Sequence, residues 1–225
     1  MLGDILITGG ASGLGHAVAE AVAKAGGRPL VVDLRAADGF DHAVADLADR
    51  SQAERAVREL AERAGGLDGV VTAAGIDACG RLEDVTADDW ERVIKVNLMG
   101  TAAVVRAALP YLRESSGRVV TCASTLGLRA VSDATAYCAA KFGVVGFTRA
   151  LAAELAGQVG VTMLVPGGMA TRFFDGRPEQ YQPGPDARLN RPEDVAQTVV
   201  FALSQPPGCE VRELVVCPST ETSWP

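Results

Sequence analysis

ILITGGASGLGHAVAEAVAKAGGRPLVVD, residues 5–33, decides the fold. It runs from an apolar stretch through a glycine-rich turn into an Ala- and Val-rich periodic segment, then into a second apolar run closed by an acid. The pattern predicts a strand over Asp4–Thr8, a helix over Gly13–Ala25 and a strand over Pro29–Asp33. The same alternation continues outward. Ser51–Ala64 places Ala53, Ala56, Val57, Leu60 and Ala61 at amphipathic-helix spacing, and Gly69–Ala73 reads as the next strand. Trp90–Leu112 is predicted helical, Arg118–Ala123 a strand, Thr135–Ala156 a helix and Val161–Val165 a strand. Pro192–Leu203 is a helix with Pro at its start and Glu193 and Asp194 in its first turn, where they suit the helix dipole. Glu213–Cys217 is the last strand. Strands alternating with helices imply an α/β fold with a parallel sheet covered on both faces.

At 225 residues, with 48% apolar and 22% charged side chains, the chain predicts a single domain over 1–225 with ample core. No repeat or linker interrupts it. Thr171–Arg191, which holds Pro178, Pro183, Gly184 and Pro185, is the one loop-like region; that length suits a lid or substrate loop. The net charge of -7 and the lack of a basic cluster argue against a nucleic-acid surface. No apolar run approaches a membrane span, and the first residues lack a signal-peptide pattern, so a cytoplasmic location is expected. Five scattered cysteines without a C-x-x-C pair make metal and disulfide frameworks poor readings.

Gly9, Gly13 and Gly15 lie between the first strand and first helix, where glycine lets backbone approach a diphosphate and the helix N-terminus adds donors. The spacing differs from G-x-G-x-x-G, and such turns also serve packing alone. Asp33, ending the second strand about 20 residues on, is placed to bind adenosine ribose hydroxyls and to repel a 2′-phosphate. That favours NAD over NADP. Arg35 is the counterweight, since it would pair with that phosphate.

Tyr137 and Lys141 stand four residues apart in AYCAAK, one helical turn, with Ser124 thirteen positions upstream. A positive charge about 4 Å from a phenol, at an effective dielectric near 20, is worth about 4 kcal/mol, or roughly three pKa units. Before any desolvation penalty, the spacing therefore predicts a Tyr137 drawn toward neutrality by Lys141, able to exchange a proton. Such a pair alone is usually an aromatic beside a solvated amine. With the glycine turn, it points to hydride chemistry on a carbonyl or alcohol.

Together these motifs resemble the short-chain dehydrogenase/reductase family, classical type, over nearly the whole chain. The matching pieces are TGGASGLG at Thr8–Gly15, AAG at Ala73–Gly75, Asn97 in KVNLMG, Ser124 in CASTLG, Tyr137-x-x-x-Lys141 and PGGMAT at Pro166–Thr171. The resemblance implies one Rossmann-like, doubly wound parallel sheet of about seven strands. It makes Tyr137 the acid in carbonyl reduction and the base in alcohol oxidation, and Ser124 the group that hydrogen-bonds the substrate oxygen. Lys141 would hold the nicotinamide ribose, and Asn97 would support a water-linked proton path to it. Cofactor contacts implied are Thr8, Gly9, Ser12, Gly13, Leu14, Gly15, Asp33, Leu34, Asp46 and Leu47. Further contacts are Ala73, Ala74, Gly75, Tyr137, Lys141, Pro166, Gly167, Met169 and Thr171. Thr72-Ala73 and Thr162 depart from asparagines common in the family, and the role of His16 after the glycine turn is open.

The substrate is expected over the nicotinamide, against Ser124, Leu126, Tyr137, Gly168, Phe173 and Phe174, with Leu128 a further wall and Arg129 and Arg172 charge handles. The tail Glu221–Pro225, with Trp224, either folds over a neighbouring subunit or frays. By resemblance the chain forms a homodimer or homotetramer through its long helices. Two function classes stand. One is an NAD- or NADP-dependent oxidoreductase acting on a secondary alcohol or ketone, within which an NADPH-dependent 3-oxoacyl-thioester or tailoring ketoreductase is an alternative. The other is a dinucleotide-binding regulatory or scaffold protein without turnover.

Overall fold

A computed structural model describes residues 2–223. Seven parallel strands form one sheet in the order β3-β2-β1-β4-β5-β6-β7. In chain order they are β1 (Asp4–Thr8), β2 (Arg28–Asp33), β3 (Asp41–Val44), β4 (Gly69–Thr72), β5 (Arg118–Cys122), β6 (Gly160–Pro166) and β7 (Glu213–Val216). The helices are α1 (Gly13–Lys24), α2 (Arg50–Ala64), α3 (Ala87–Ile94), α4 (Thr101–Ser115), α5 (Thr135–Glu154) and α6 (Pro192–Leu203).

Two apolar layers sandwich the sheet. One packs Val18 and Val22 of α1 and Val195 and Val199 of α6 on Ile5, Ile7 and Val120. The other packs Val57 and Leu60 of α2, Val104 of α4 and Leu151 of α5 on Leu6, Leu30 and Val119. Adjacent residues of each strand thus serve opposite layers, so the strands read as unbroken apolar runs. Because all strands run the same way, the segments leaving β1, β4, β5 and β6 gather along one edge. The order reverses between β1 and β4, the crevice where open α/β sheets bind ligands.

Local chemistry explains the boundaries. Asp49 caps α2, its carboxylate accepting from the Ser51 and Gln52 amides at 2.8 and 3.1 Å, worth about 1 kcal/mol. Gly65, at φ +89°, closes that helix in the left-handed region. Pro192 opens α6, with Glu193 and Asp194 in its first turn, as the sequence predicts.

Two features differ from expectation. β3 is unforeseen: four residues at the sheet's edge, with Asp41 and Val44 exposed, give no apolar run to read. Trp90–Leu112 is not one α-helix. It begins at Ala87, capped by Thr86, and Lys95–Gly100 widens into a π-helical turn before α4. The continuous stretch Ala87–Ser115 is long and apolar enough to cross a membrane by length and composition alone, a test that core helices also pass. Half of its most apolar window is buried inside the molecule.

Candidate active site

The glycine turn follows β1. Gly9 and Gly13 lie at φ +75° and +56°, and Gly9 carries no Cβ because one would sit 2.8 Å from the Ala74 Cα. A Cβ on Gly15 would stand 2.3 Å from the Gly9 carbonyl oxygen, so the first turn of α1 is pressed onto the loop. Gly15→Ala should therefore destabilise the protein by about 1–3 kcal/mol and displace the turn. A lowered Tm together with loss of NADH binding checks this; wild-type values for both would refute the packing argument.

Asp33 braces the same turn. Its Oδ2 accepts from the Ala11 amide at 3.0 Å and its Oδ1 from the Arg35 amide at 3.1 Å. The Arg35 guanidinium donates to Ser12 Oγ at 3.3 Å, so the counterweight cation lies beside the acid, over the turn. Asp46 is ion-paired to Arg92 at 3.1 Å, and Leu34 is exposed.

From here a cleft of about 1030 Å³ runs along the strand ends to the loop 171–191. It is lined by every expected cofactor residue except Thr8, and by Ser124, Leu126, Gly168, Phe173 and Phe174. Thr8 lies just behind the wall, where its hydroxyl accepts from the Ala74 amide at 3.2 Å. The glycine cradle, the acid beside it and the continuous cleft fit a dinucleotide.

Three elements deliver the polar centre. Ser124, just past β5, caps the short 3₁₀ turn Thr125–Gly127 by accepting from the Leu126 amide at 3.1 Å. α5 carries Tyr137 and Lys141, both buried. Asn97 sits in the π-helical turn, behind the cleft wall. Its side chain clamps the Ile76 peptide, donating to the carbonyl at 2.8 Å and accepting from the amide at 2.9 Å. The wide turn leaves the Asn97 carbonyl to accept from Thr101 Oγ1 at 2.8 Å. At Gly75 a Cβ would lie 3.6 Å from Asn97 Oδ1 and 3.8 Å from Lys141 Nζ, so the gap is narrow and lined by polar atoms.

The electrostatics correct the sequence reading. Lys141 Nζ donates to the Cys122 carbonyl at 2.8 Å and lies 5.6 Å from the centroid of the Tyr137 ring. Burial raises the Tyr137 pKa, the Cys122 sulfur beside it adds to the rise, and the Ser124 hydroxyl opposes it. Burial also lowers the Lys141 pKa. Desolvation outweighs attraction, because the ammonium is turned to a backbone carbonyl rather than to the phenol. In the protein alone, burial therefore favours the protonated form of Tyr137.

Three further expectations change. Leu128 packs with Val144 and Val145 outside the cleft. Arg129 donates to the Thr222 carbonyl at 3.0 Å and is no charge handle in the pocket. The tail does not fray through residue 223: Glu221 Oε2 accepts from the Gly168 amide at 3.0 Å, and Ser223 Oγ donates to Thr125 Oγ1 at 2.7 Å. Trp224 and Pro225 lie outside the described residues.

Side chains that the sequence reading missed close the outer end. Asp77 and Arg177 line the cleft and pair at 3.0 Å across a hundred residues of chain, which no local pattern reveals. At the departures, Thr162 Oγ1 donates to the Val211 carbonyl at 2.6 Å, whereas the buried Thr72 hydroxyl has no hydrogen-bond partner.

Comparison with known proteins agrees with this geometry. The family model described as short chain dehydrogenase matches residues 4–182. A (2S)-((R)-hydroxy(phenyl)methyl)succinyl-CoA dehydrogenase subunit of Thauera aromatica is 34% identical over 234 residues, covering 94% of each chain. A 3-oxoacyl-(acyl-carrier-protein) reductase of Thermotoga maritima is 32% identical over 219 residues, covering 88% of this chain and 89% of the relative. The structure of a short chain dehydrogenase from Burkholderia cenocepacia in complex with NADP superposes with a TM-score of 0.85 at 28% identity, covering 96% of this chain and 97% of that one.

Proposed function

The chain belongs to the short chain dehydrogenase family of oxidoreductases, and from that premise we propose that it moves a hydride between a nicotinamide cofactor and a secondary alcohol or ketone. The observation that carries the reading is the meeting of Ser124, Tyr137 and Lys141, from two separate elements, in the cleft that begins at the glycine turn.

NAD or NADP, when bound, supplies or accepts the hydride. The amides of the Gly9–Gly15 turn and the N-terminus of α1 would hold its diphosphate, Asp33 its adenosine ribose, and Lys141 the nicotinamide ribose. Ser124 donates a hydrogen bond to the substrate oxygen and stabilises charge developing there. Tyr137 protonates that oxygen in reduction and takes the proton back in oxidation. Asn97 fixes the Ile76 peptide beside Lys141, which keeps the proton path in register. A protein that only binds dinucleotide needs neither Ser124 nor Tyr137, so the scaffold reading is the weaker one.

On this reading residues 1–225 form one cytoplasmic dinucleotide-binding domain, with a substrate loop at 171–191. Exposed Met99, beside α4, and Phe142, on α5, support a homodimer or homotetramer through that face. A second reading, an NADPH-dependent 3-oxoacyl-thioester or tailoring ketoreductase, is favoured by Arg35 lying over Ser12.

Titrating NADH and NADPH into wild type and Asp33→Ala, by nicotinamide fluorescence, separates the two. The NAD reading expects tighter NADH binding in wild type, with the preference reduced roughly 10-fold or more in the variant. Asp33→Asn keeps an acceptor for one braced amide and isolates the charge effect. Tighter NADPH binding would move the role to Arg35; binding of neither would sink the oxidoreductase reading.

A further inference from the structure

The loop 171–191 does not simply cover the cleft; a buried charge pair fastens it there, beside a hydrogen bond that Tyr181 Oη donates to Asp133 Oδ2 at 3.2 Å. Arg177 Nη2 lies 3.0 Å from Asp77 Oδ2, and the two side chains are only 14% and 6% exposed. The contact is one of charge rather than a directed hydrogen bond, since Nη2 has no partner of suitable angle. Asp77 is itself immobilised. Its Oδ1 accepts from the Ala78 amide at 2.7 Å and its Oδ2 from the Cys79 thiol at 3.1 Å.

On the loop side, the Arg177 guanidinium lies over both aromatic rings, 4.5 Å from the Phe173 centroid and 4.7 Å from that of Phe174. The rings meet edge-on at 5.7 Å, and Phe173 packs 5.5 Å from the ring of Tyr137. A single chain of contacts therefore runs from the segment after β4, through the loop, to the proposed acid. Gln182 Nε2, just past the short 3₁₀ turn Glu179–Tyr181, donates to the Arg177 carbonyl at 2.7 Å and so holds that turn to the arginine's own backbone.

We propose that Asp77 and Arg177 form a positioning latch: the pair holds the Arg172–Tyr181 segment shut and thereby keeps Phe173 against Tyr137 as the fixed aromatic wall of the substrate site. A broad guanidinium can lie over two ring faces while meeting a carboxylate, a combination that the compact lysine ammonium suits less well. Breaking one partner leaves the other charge buried and unpaired, so opening the loop to water is the relief available. The latch acts through Phe173 and touches no reacting atom.

The test is hydrogen–deuterium exchange on Asp77→Asn, Arg177→Met and the double variant, with KM and kcat measured in parallel. Amides of residues 172–182 are expected to exchange at least tenfold faster in each single variant. The β-strand and α5 amides should stay at wild-type rates. The double variant should open no further than either single, because all three break one latch. On a ketone or alcohol substrate, KM should rise more than kcat falls, while NADH binding is retained. Arg177→Lys, which keeps the charge but loses the double stacking, should lie between wild type and Arg177→Met.

Wild-type exchange in 172–182 in both single variants, or independent effects that add in the double, would overturn the proposal. So would exchange accelerated throughout the protein in both single variants, which would make the pair a general stabiliser. The kinetic part rests on the oxidoreductase reading, but the exchange part does not, so failure of one is distinguishable from failure of the other.

Discussion

Tyr137→Phe is expected to lower kcat/KM by roughly 10²–10⁴-fold and to leave NADH binding nearly unchanged. The substitution removes one hydroxyl and keeps the ring, its packing 5.5 Å from Phe173 and its place on α5. The loss should fall on the proton-transfer step alone, so kcat drops while the melting temperature holds. The sign of the pH dependence follows from the raised phenol pKa. A group that holds its proton beyond the ordinary tyrosine range is an acid through neutral and mildly alkaline pH. Carbonyl reduction should therefore be sustained across that window, declining only where the phenol ionises. Alcohol oxidation, which needs the base form, should climb as pH rises toward the same point. Both limbs should vanish in the phenylalanine variant. A variant that keeps wild-type kcat/KM would remove Tyr137 from the chemistry.

Lys141→Met is expected to abolish most of the activity without unfolding the protein. Methionine has similar length and suits the apolar part of the site, but it cannot donate to the Cys122 carbonyl at 2.8 Å or hold ribose hydroxyls. Loss of charge-assisted hydrogen bonds should weaken NADH binding by roughly 10–100-fold, with kcat falling in addition. Stability should move little or rise, because Lys141 is only 3% exposed and burial already disfavours its charge. A gain in melting temperature with a loss of turnover is the pattern of a group kept for function. The measurements are thermal unfolding, NADH titration and steady-state kinetics on the same preparation. Unfolding of the variant, or full activity, would contradict this role.

The alternating sheet was legible because both faces of each central strand are buried, so the strands read as solid apolar runs between helices of regular period. β3 was not, since an edge strand that buries only Ala43 leaves no such run. Residues of the dinucleotide end could be read from glycine spacing and from Asp33 at the close of β2, because close backbone approach admits no other residue at Gly9 or Gly15. Tyr137, Lys141 and Ser124 were legible as positions but not as electrostatics. Four-residue spacing puts two side chains on one helix face; only the surrounding packing decides that Lys141 points to the Cys122 carbonyl rather than the phenol. The widened turn at Lys95–Gly100 was hidden because a π-helical turn keeps helical composition. Asp77, Arg177 and Glu221 carry no local signal at all. Each acquires its partner from far along the chain, and an isolated charge on a loop reads as solvated.

The central claim is that this cleft transfers hydride to a carbonyl through Tyr137. Its most direct test is transfer of deuterium from 4-deuterated NADH or NADPH to a panel of cyclic, aryl and 3-oxoacyl-thioester ketones, read by mass spectrometry. The account predicts deuterium on the carbinol carbon of at least one product with the wild-type protein, and its loss with Tyr137→Phe while cofactor binding persists. Cofactor binding without deuterium reaching any carbonyl, or equal transfer by Tyr137→Phe, would contradict it.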